Sequence, residues 1–248
     1  SAGVESYLDQ TLYPDKDIIL TNSSGVFGIP IAEHVIGILL AFCRNIDEYT
    51  RFKDDSLWKP LQPRKEFYGS TVGIIGLGDI GTEIARRSKA FGANVIAVKR
   101  TPGRIPDFVD ELYGEDGIDL LLAKSDFVIL ALPATPDTQG IISEKRLGMM
   151  KSDAFLVNIG RGVLIDQEAL IRALKEKRIA GAGLDVTYPE PLPAESPIWE
   201  LPDVILTPHC SGFSPSNSKR SLSIFLENLH KYINGEPLKN QVDFSIGY

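Results

Sequence analysis

Few residues in this chain can cross-link or bind soft metals: its 248 residues include two cysteines, two methionines and three histidines. Cys43 and Cys210 stand far apart and outside any Cys-x-x-Cys or Cys/His spacing, so neither a disulfide framework nor a metal site is expected. That usage fits a reducing, cytoplasmic setting. Long apolar runs are lacking as well. The longest uncharged one, Val35 to Cys43, is too short to cross a bilayer, and no membrane association is expected. Nor is there a basic surplus: 26 Lys and Arg against 33 Asp and Glu leave a net charge of −7, which argues against a nucleic-acid ligand. Repeats and low-complexity tracts are missing too. The remaining balance, 43% apolar and 24% charged, is that of a globular chain with one large or two modest domains.

The order of patterns says more. From residue 31 to about 52, Ile31, Val35, Ile38, Leu39, Phe42, Ile46 and Tyr49 recur at helical spacing, with Pro30 placed to start one long helix. Trp58 is expected to pack against that helix or a partner subunit. Beyond it, short β-branched runs alternate with helical ones. Strands are expected over 71–75, 94–98, 127–131, 154–158, 182–186 and 204–206. Helices are expected over 80–91, 118–123, 143–150 and 167–177, the last capped by Asp166. This alternation builds an α/β fold, a parallel sheet with helices on both faces. A final helix should begin with Ser214 as N-cap and Pro215 at the first helical position, place Leu222, Phe225, Leu226, Leu229, Tyr232 and Ile233 on one face, and end at Gly235.

Gly76-Leu77-Gly78-Asp79-Ile80-Gly81 fits the dinucleotide fingerprint. Alone, Gly-x-Gly-x-x-Gly is a weak sign. Here it follows an expected strand and opens an expected helix, which is the context the motif needs. Gly76 permits the tight turn, Gly78 lets backbone approach a pyrophosphate, and Gly81 lets helix and strand pack closely. The helix N-terminus then offers N–H groups and the positive end of its dipole to the phosphates. An NAD-specific site would place an acid about 20 residues on, at the adenine ribose. The chain instead reads Val98-Lys99-Arg100-Thr101, with Arg104 close behind. Cations and a hydroxyl suit a ribose 2′-phosphate, so NADP is the preferred cofactor expected, with NAD as the alternative.

Three later segments each end an expected strand, where open α/β sheets bind ligands. They are Val157-Asn158-Ile159-Gly160-Arg161-Gly162, Asp185-Val186-Thr187-Tyr188-Pro189-Glu190-Pro191 and Leu206-Thr207-Pro208-His209-Cys210-Ser211-Gly212. With these, the opening Ser-Ala-Gly-Val, Ala32-Glu33-His34 and Pro133-Ala134-Thr135-Pro136-Asp137-Thr138, nearly the whole chain resembles the D-isomer-specific 2-hydroxyacid dehydrogenases, which include glyoxylate/hydroxypyruvate reductases and phosphoglycerate dehydrogenase.

The resemblance implies a site. Arg161 matches the arginine that holds the substrate's carboxylate and carbonyl, a task for a bidentate guanidinium that never deprotonates. His209 matches the general acid/base, and Glu190 the carboxylate that orients it and favours its protonated form. Asp185 matches the residue near the nicotinamide carboxamide. Leu132, Pro133, Thr138, Ile159, Gly160 and Gly212 match positions around the cofactor, which Arg161 and His209 also border. Ala2, Gly3 and Val4 match the loop whose N–H groups receive the substrate carboxylate. His34 is read as structural. Cys210, facing away from His209 on an extended backbone, is not expected to form a Cys–His nucleophile.

It also implies a Rossmann-type, doubly wound domain over about 25–213, inserted into a smaller flavodoxin-like substrate domain. That domain is expected to be N-terminally incomplete here, comprising 1–24 and 214–248. The implied activity is NAD(P)-dependent reduction of a small 2-oxo acid by a homodimer joined through the cofactor domain. The alternative is a nicotinamide-binding sensor or corepressor-like scaffold without turnover.

Overall fold

The computed structural model describes residues 3–13 and 18–244. Seven strands form one sheet: β1 (Thr71–Ile75), β2 (Asn94–Val98), β3 (Glu111–Tyr113), β4 (Phe127–Leu130), β5 (Phe155–Asn158), β6 (Gly181–Leu184) and β7 (Val204–Leu206). Every pair is parallel and the order is β3-β2-β1-β4-β5-β6-β7, with the sense of progression reversing at β1. A reversal of this kind opens a crevice at the carboxyl ends of the strands. This is a Rossmann fold.

The strands are apolar because both faces are covered. Successive side chains alternate between the faces. Val72, Ile74, Val95, Ala97, Ile129 and Val157 pack with α1 (Gly28–Cys43) and α3 (Asp79–Ala90), where Phe42 stacks on Phe155 at 4.0 Å between centroids. Ile75, Ile96, Val128, Leu130 and Leu156 pack with α4 (Ile118–Lys124), α5 (Glu144–Leu147) and α6 (Gln167–Lys175) on the other face. Asp166 caps α6 as expected, accepting from the Ala169 N–H at 3.0 Å.

Register levels the carboxyl ends. Ile75 pairs with both Val98 and Leu130, Leu130 with Asn158, Asn158 with Leu184, and Leu184 with Leu206. The segments that follow these residues therefore emerge side by side along one edge. At the opposite edge Asp126 accepts from the Thr71 N–H at 2.8 Å and from Lys65 and Lys151, each at 3.1 Å.

Some expectations fail. The helix expected over 31–52 is two, α1 and α2 (Ile46–Asp54), bent by 71°. Asn45 turns the chain in the left-handed region (φ 56°) and donates its amide to the Gln62 carbonyl at 2.6 Å. Ile46 and Tyr49 continue the apolar period but are exposed, so spacing alone could not detect the break. Trp58 is 100% exposed and packs on no helix among the described residues, which leaves the partner subunit of the two expected contacts. The last helix, α7 (Asn217–Ile233), starts two residues later than Pro215, because the Ser214 hydroxyl accepts from the Ser216 N–H in a turn instead of capping. Gly235 does close it, at φ 68°. The apolar side chains named on its face, Leu222 through Ile233, are exposed. The edge strand β3 was not expected. Its three half-buried residues give too short a pattern to read. Among the described residues, no single helix is long and apolar enough to cross a membrane.

Candidate active site

The fingerprint glycines each meet a different demand. Gly76 turns at φ 104°, and a Cβ there would stand 2.5 Å from the Ala131 carbonyl. A Cβ on Gly81 would stand 2.0 Å from the Gly76 carbonyl, so only glycine lets α3 start this close to β1. Gly78 is exposed, and a Cβ there would meet nothing within 4 Å. That open approach to the first turn of α3 is the space a pyrophosphate needs, and the residues present fit a dinucleotide. Ile80 lies in the same turn, half-buried. Asp79, at the start of that turn, accepts from the Gly25 N–H at 3.0 Å.

The end of β2 lies beside this turn, because the N–H groups of Gly76 and Leu77 donate to the Val98 carbonyl at 3.0 and 3.3 Å. Lys99, Arg100, Thr101 and Arg104 follow, all exposed. Next along the edge, Leu132 and Pro133 open a loop stitched by Thr138, whose hydroxyl donates to the Pro133 carbonyl at 2.8 Å and accepts from the Thr135 N–H at 2.7 Å. Gly160 presses on it, since a Cβ there would stand 2.7 Å from the Leu132 carbonyl. Asn158 shapes the Arg161 turn, accepting from the Gly160 N–H at 3.1 Å and donating to the Arg161 carbonyl at 2.8 Å. Ile159 is buried beneath it.

Gly162 sets Arg161 against the next loop: a Cβ there would stand 2.0 Å from the Thr187 carbonyl. In that loop the Thr187 N–H donates to Glu190 Oε1 at 3.0 Å, aiming the other oxygen at His209. Glu190 Oε2 and His209 Nδ1 are 2.8 Å apart. The peptide bonds Tyr188–Pro189 and Glu190–Pro191 are cis. His209 lies at φ 50°, a turn rather than an extended backbone, and its N–H donates to the Asp185 carbonyl at 2.8 Å.

Asp185 is buried below this turn. Its carboxylate accepts from the Thr207 hydroxyl at 2.6 Å and from the N–H groups of Cys210 and Ser211 at 3.0 and 3.1 Å. Burial pushes its carboxyl up, but the Ser211, Thr207 and Cys210 donors outweigh that and hold it below the usual carboxylate range. Burial and the Asp185 charge push the Cys210 thiol up, so it is no activated nucleophile. A Cβ on Gly212 would stand 3.4 Å from Phe27, the residue before α1, and 3.9 Å from Ile31 in its first turn. Gly3 is half-buried and Val4 buried, and Ala2 lies outside the described residues. Sequence reading missed Asn158, Thr187 and Thr207, which shape the loops, and the reason Gly162 must be glycine. All four lie in the strand-end segments that stood out, but which residue there turns a loop and which faces a ligand is decided by side-chain geometry.

A parallel sheet reversing at β1, a glycine turn opening α3, and a carboxylate-paired histidine along the same edge define a dinucleotide-dependent oxidoreductase. The profile of the D-isomer specific 2-hydroxyacid dehydrogenase NAD-binding domain matches residues 36–211. A glyoxylate reductase of Korarchaeum cryptofilum is 38% identical over 235 residues, covering 92% of this chain and 70% of that protein. The structure of a D-isomer specific 2-hydroxyacid dehydrogenase from Xanthobacter autotrophicus Py2, bound to NADPH and MES, superposes with TM-score 0.86 at 32% identity, covering 100% of both chains. An NADPH-dependent glyoxylate/hydroxypyruvate reductase from Sinorhizobium meliloti, bound to NADP and sulfate, gives 0.88 at 30% identity, over 100% of this chain and 78% of that one. The chain belongs to the D-isomer-specific 2-hydroxyacid dehydrogenases, NAD(P)-dependent enzymes acting on CH–OH donors.

Proposed function

We propose that this chain reduces a small 2-oxo acid of the glyoxylate or hydroxypyruvate type, prefers NADPH, and uses His209 as the proton donor. The observation that carries this reading is the 2.8 Å pairing of His209 Nδ1 with Glu190. An ionised carboxylate only accepts, so Nδ1 holds a hydrogen and Nε2 is left to face the substrate. In the protonated ring Nε2 also carries a proton, which it delivers to the carbonyl oxygen. A reduced nicotinamide, when bound, supplies the hydride to the carbonyl carbon. Arg161 grips the substrate's carboxylate and carbonyl, and the N–H groups of the loop at Ala2, Gly3 and Val4 take the carboxylate's outer side. Gly76, Gly78 and Gly81 with the first turn of α3 hold the pyrophosphate, while Leu132, Pro133, Thr138, Ile159, Gly160, Asp185 and Gly212 surround the rest of the cofactor.

NADPH preference rests on Lys99, Arg100 and Thr101 at the end of β2, with no acid among them. The relatives from Xanthobacter and Sinorhizobium, seen with NADPH and NADP, support the same reading. The cofactor domain is assigned to 25–213 and a substrate domain to 1–24 with 214–248. Support comes from the Thr21–Gln241 bridge, with Asn22 N–H on the Asn240 carbonyl at 3.0 Å and Val242 N–H on the Leu20 carbonyl at 2.9 Å. A homodimer through the cofactor domain would cover Trp58, Leu57, Ile46 and Tyr49, all exposed beside α2. The deciding experiment follows NADPH and NADH oxidation by absorbance with glyoxylate, hydroxypyruvate and pyruvate. Steady turnover supports the proposal. Tight NADPH binding with no turnover of any 2-oxo acid leaves a cofactor-binding scaffold instead.

A further inference from the structure

His34 sits in the second turn of α1, half-buried, directly under the loop that carries His209. Its Nε2 is 3.1 Å from the Thr207 hydroxyl oxygen and 3.8 Å from Asp185 Oδ1. The Thr207 hydroxyl has one hydrogen, and it goes to Asp185 Oδ1 at 2.6 Å. Towards His34 that oxygen can only accept. His34 is therefore the donor, with its hydrogen on Nε2. The chain of donation runs His34 to Thr207 to Asp185, and Asp185 in turn gathers the N–H groups of Cys210 and Ser211 at 3.0 and 3.1 Å. Those are the two residues that follow His209.

The His209 turn needs such anchoring. At φ 50° its backbone lies in the left-handed region, which a non-glycine residue occupies only where its surroundings hold it there. Asp185 holds it from below, by the carbonyl on the His209 N–H and by the carboxylate on the next two N–H groups. The same end of α1 supports the loop a second way, with Phe27 and Ile31 against Gly212.

We propose that His34 is a positioning residue for proton transfer: by donating to Thr207 it fixes the hydroxyl's hydrogen on Asp185, and so fixes the turn that aims His209. This rests on the reading of His209 as the proton donor, although the anchoring can be measured without turnover. His34 touches neither substrate nor cofactor in this assignment. Its nearest polar partner is the Thr207 hydroxyl at 3.1 Å, with the Asp185 carboxylate further off at 3.8 Å.

The test uses His34→Leu, His34→Gln, Thr207→Val and the double variant His34→Leu/Thr207→Val in the full chain. His34→Leu should lower kcat for 2-oxo acid reduction about three- to tenfold, leaving KM for substrate and the cofactor Kd within about twofold. His34→Gln keeps an N–H donor and should restore most of kcat. Because the proposed route runs through the Thr207 hydroxyl and not through the 3.8 Å approach to Asp185, the double variant should be no slower than Thr207→Val alone. Amide exchange at Cys210 and Ser211, read by NMR, should quicken about tenfold in His34→Leu and return towards the parent rate in His34→Gln. Parent-like kcat and exchange in His34→Leu would overturn the proposal, as would losses that add in the double variant or that glutamine does not rescue. If the parent turns over no 2-oxo acid, the functional reading fails, and the exchange rates at Cys210 and Ser211 still decide the positioning role.

Discussion

Glu190 holds His209 by a single 2.8 Å contact to Nδ1, and Glu190 is itself aimed by the Thr187 N–H on its other oxygen at 3.0 Å. The carboxylate thus has one oxygen for its own loop and one for the imidazole. Its geometry is set before substrate arrives.

From this pairing, His209→Ala should cut turnover by about 10²–10⁴-fold, the usual range for general acid catalysis, with little loss of NADPH binding by fluorescence titration. Glu190→Gln keeps the shape and removes the charge. It should lower kcat for reduction, because an amide can donate as well as accept and no longer fixes the hydrogen on Nδ1. A parent-like kcat would separate Glu190 from the proton-transfer step.

Cofactor choice depends on a different stretch of the edge. Lys99→Asp with Arg100→Ala should move the ratio of kcat/KM for NADPH over NADH towards NADH by about ten- to a hundredfold, the scale of one lost charge-assisted contact to a phosphate. Salt should weaken the parent's preference, since the loop is exposed. A parent that already favours NADH removes the basis for the assignment.

Gly162 is where two loops of the site nearly touch. Any Cβ there would stand 2.0 Å from the Thr187 carbonyl, which is backbone and cannot swing away. Gly162→Ala should force the Arg161 turn off the Glu190 loop, costing about 1–3 kcal/mol of stability in denaturant melts. The larger effect should be on kcat/KM for the 2-oxo acid, because Arg161 and His209 lose their common spacing. Fluorescence titration should show NADPH affinity intact.

Much of the sheet was legible from sequence because it is covered on both faces: β1, β2 and β7 fall where β-branched runs place them. The glycine turn was legible for a stronger reason, since Gly76 and Gly81 answer to backbone contacts that no other residue can make. The break at Asn45 was not, because the apolar period passes through it while the burial does not. Nor was the work of Thr207 and Asn158. A hydroxyl or amide in a loop segment carries no periodic signal, and its partner can lie far away in sequence, as His34 does from Thr207.

Acid should weaken the fold through Asp126. Burial pushes this carboxyl up, but the Thr71 N–H, Lys151 and Lys65 outweigh it and hold it below its ordinary value of 3.8. A carboxyl with a lower pKa folded than unfolded stabilises fully above the unfolded value, and the contribution fades as pH falls through the folded one. Thermal melts of the parent should therefore lose a contribution below about pH 4 that Asp126→Asn lacks at every pH. At neutral pH Asp126→Asn should be less stable by about 1–3 kcal/mol, through the weakened lysine and N–H contacts. If parent and variant lose stability in parallel on acidification, another group carries the effect.

The levelled strands give the molecule a handle and a working edge. At one end of the sheet Asp126 ties β1 to Lys65 and Lys151, at the opposite ends of the strands from the site loops. At the other end, the loops after Ile75, Val98, Leu130, Asn158, Leu184 and Leu206 emerge side by side and carry the site residues. Fusions, surface attachment or thermostabilising changes therefore belong at the Asp126 end, while altered cofactor or substrate range belongs in the loops, away from tight contacts such as Gly162 on the Thr187 carbonyl.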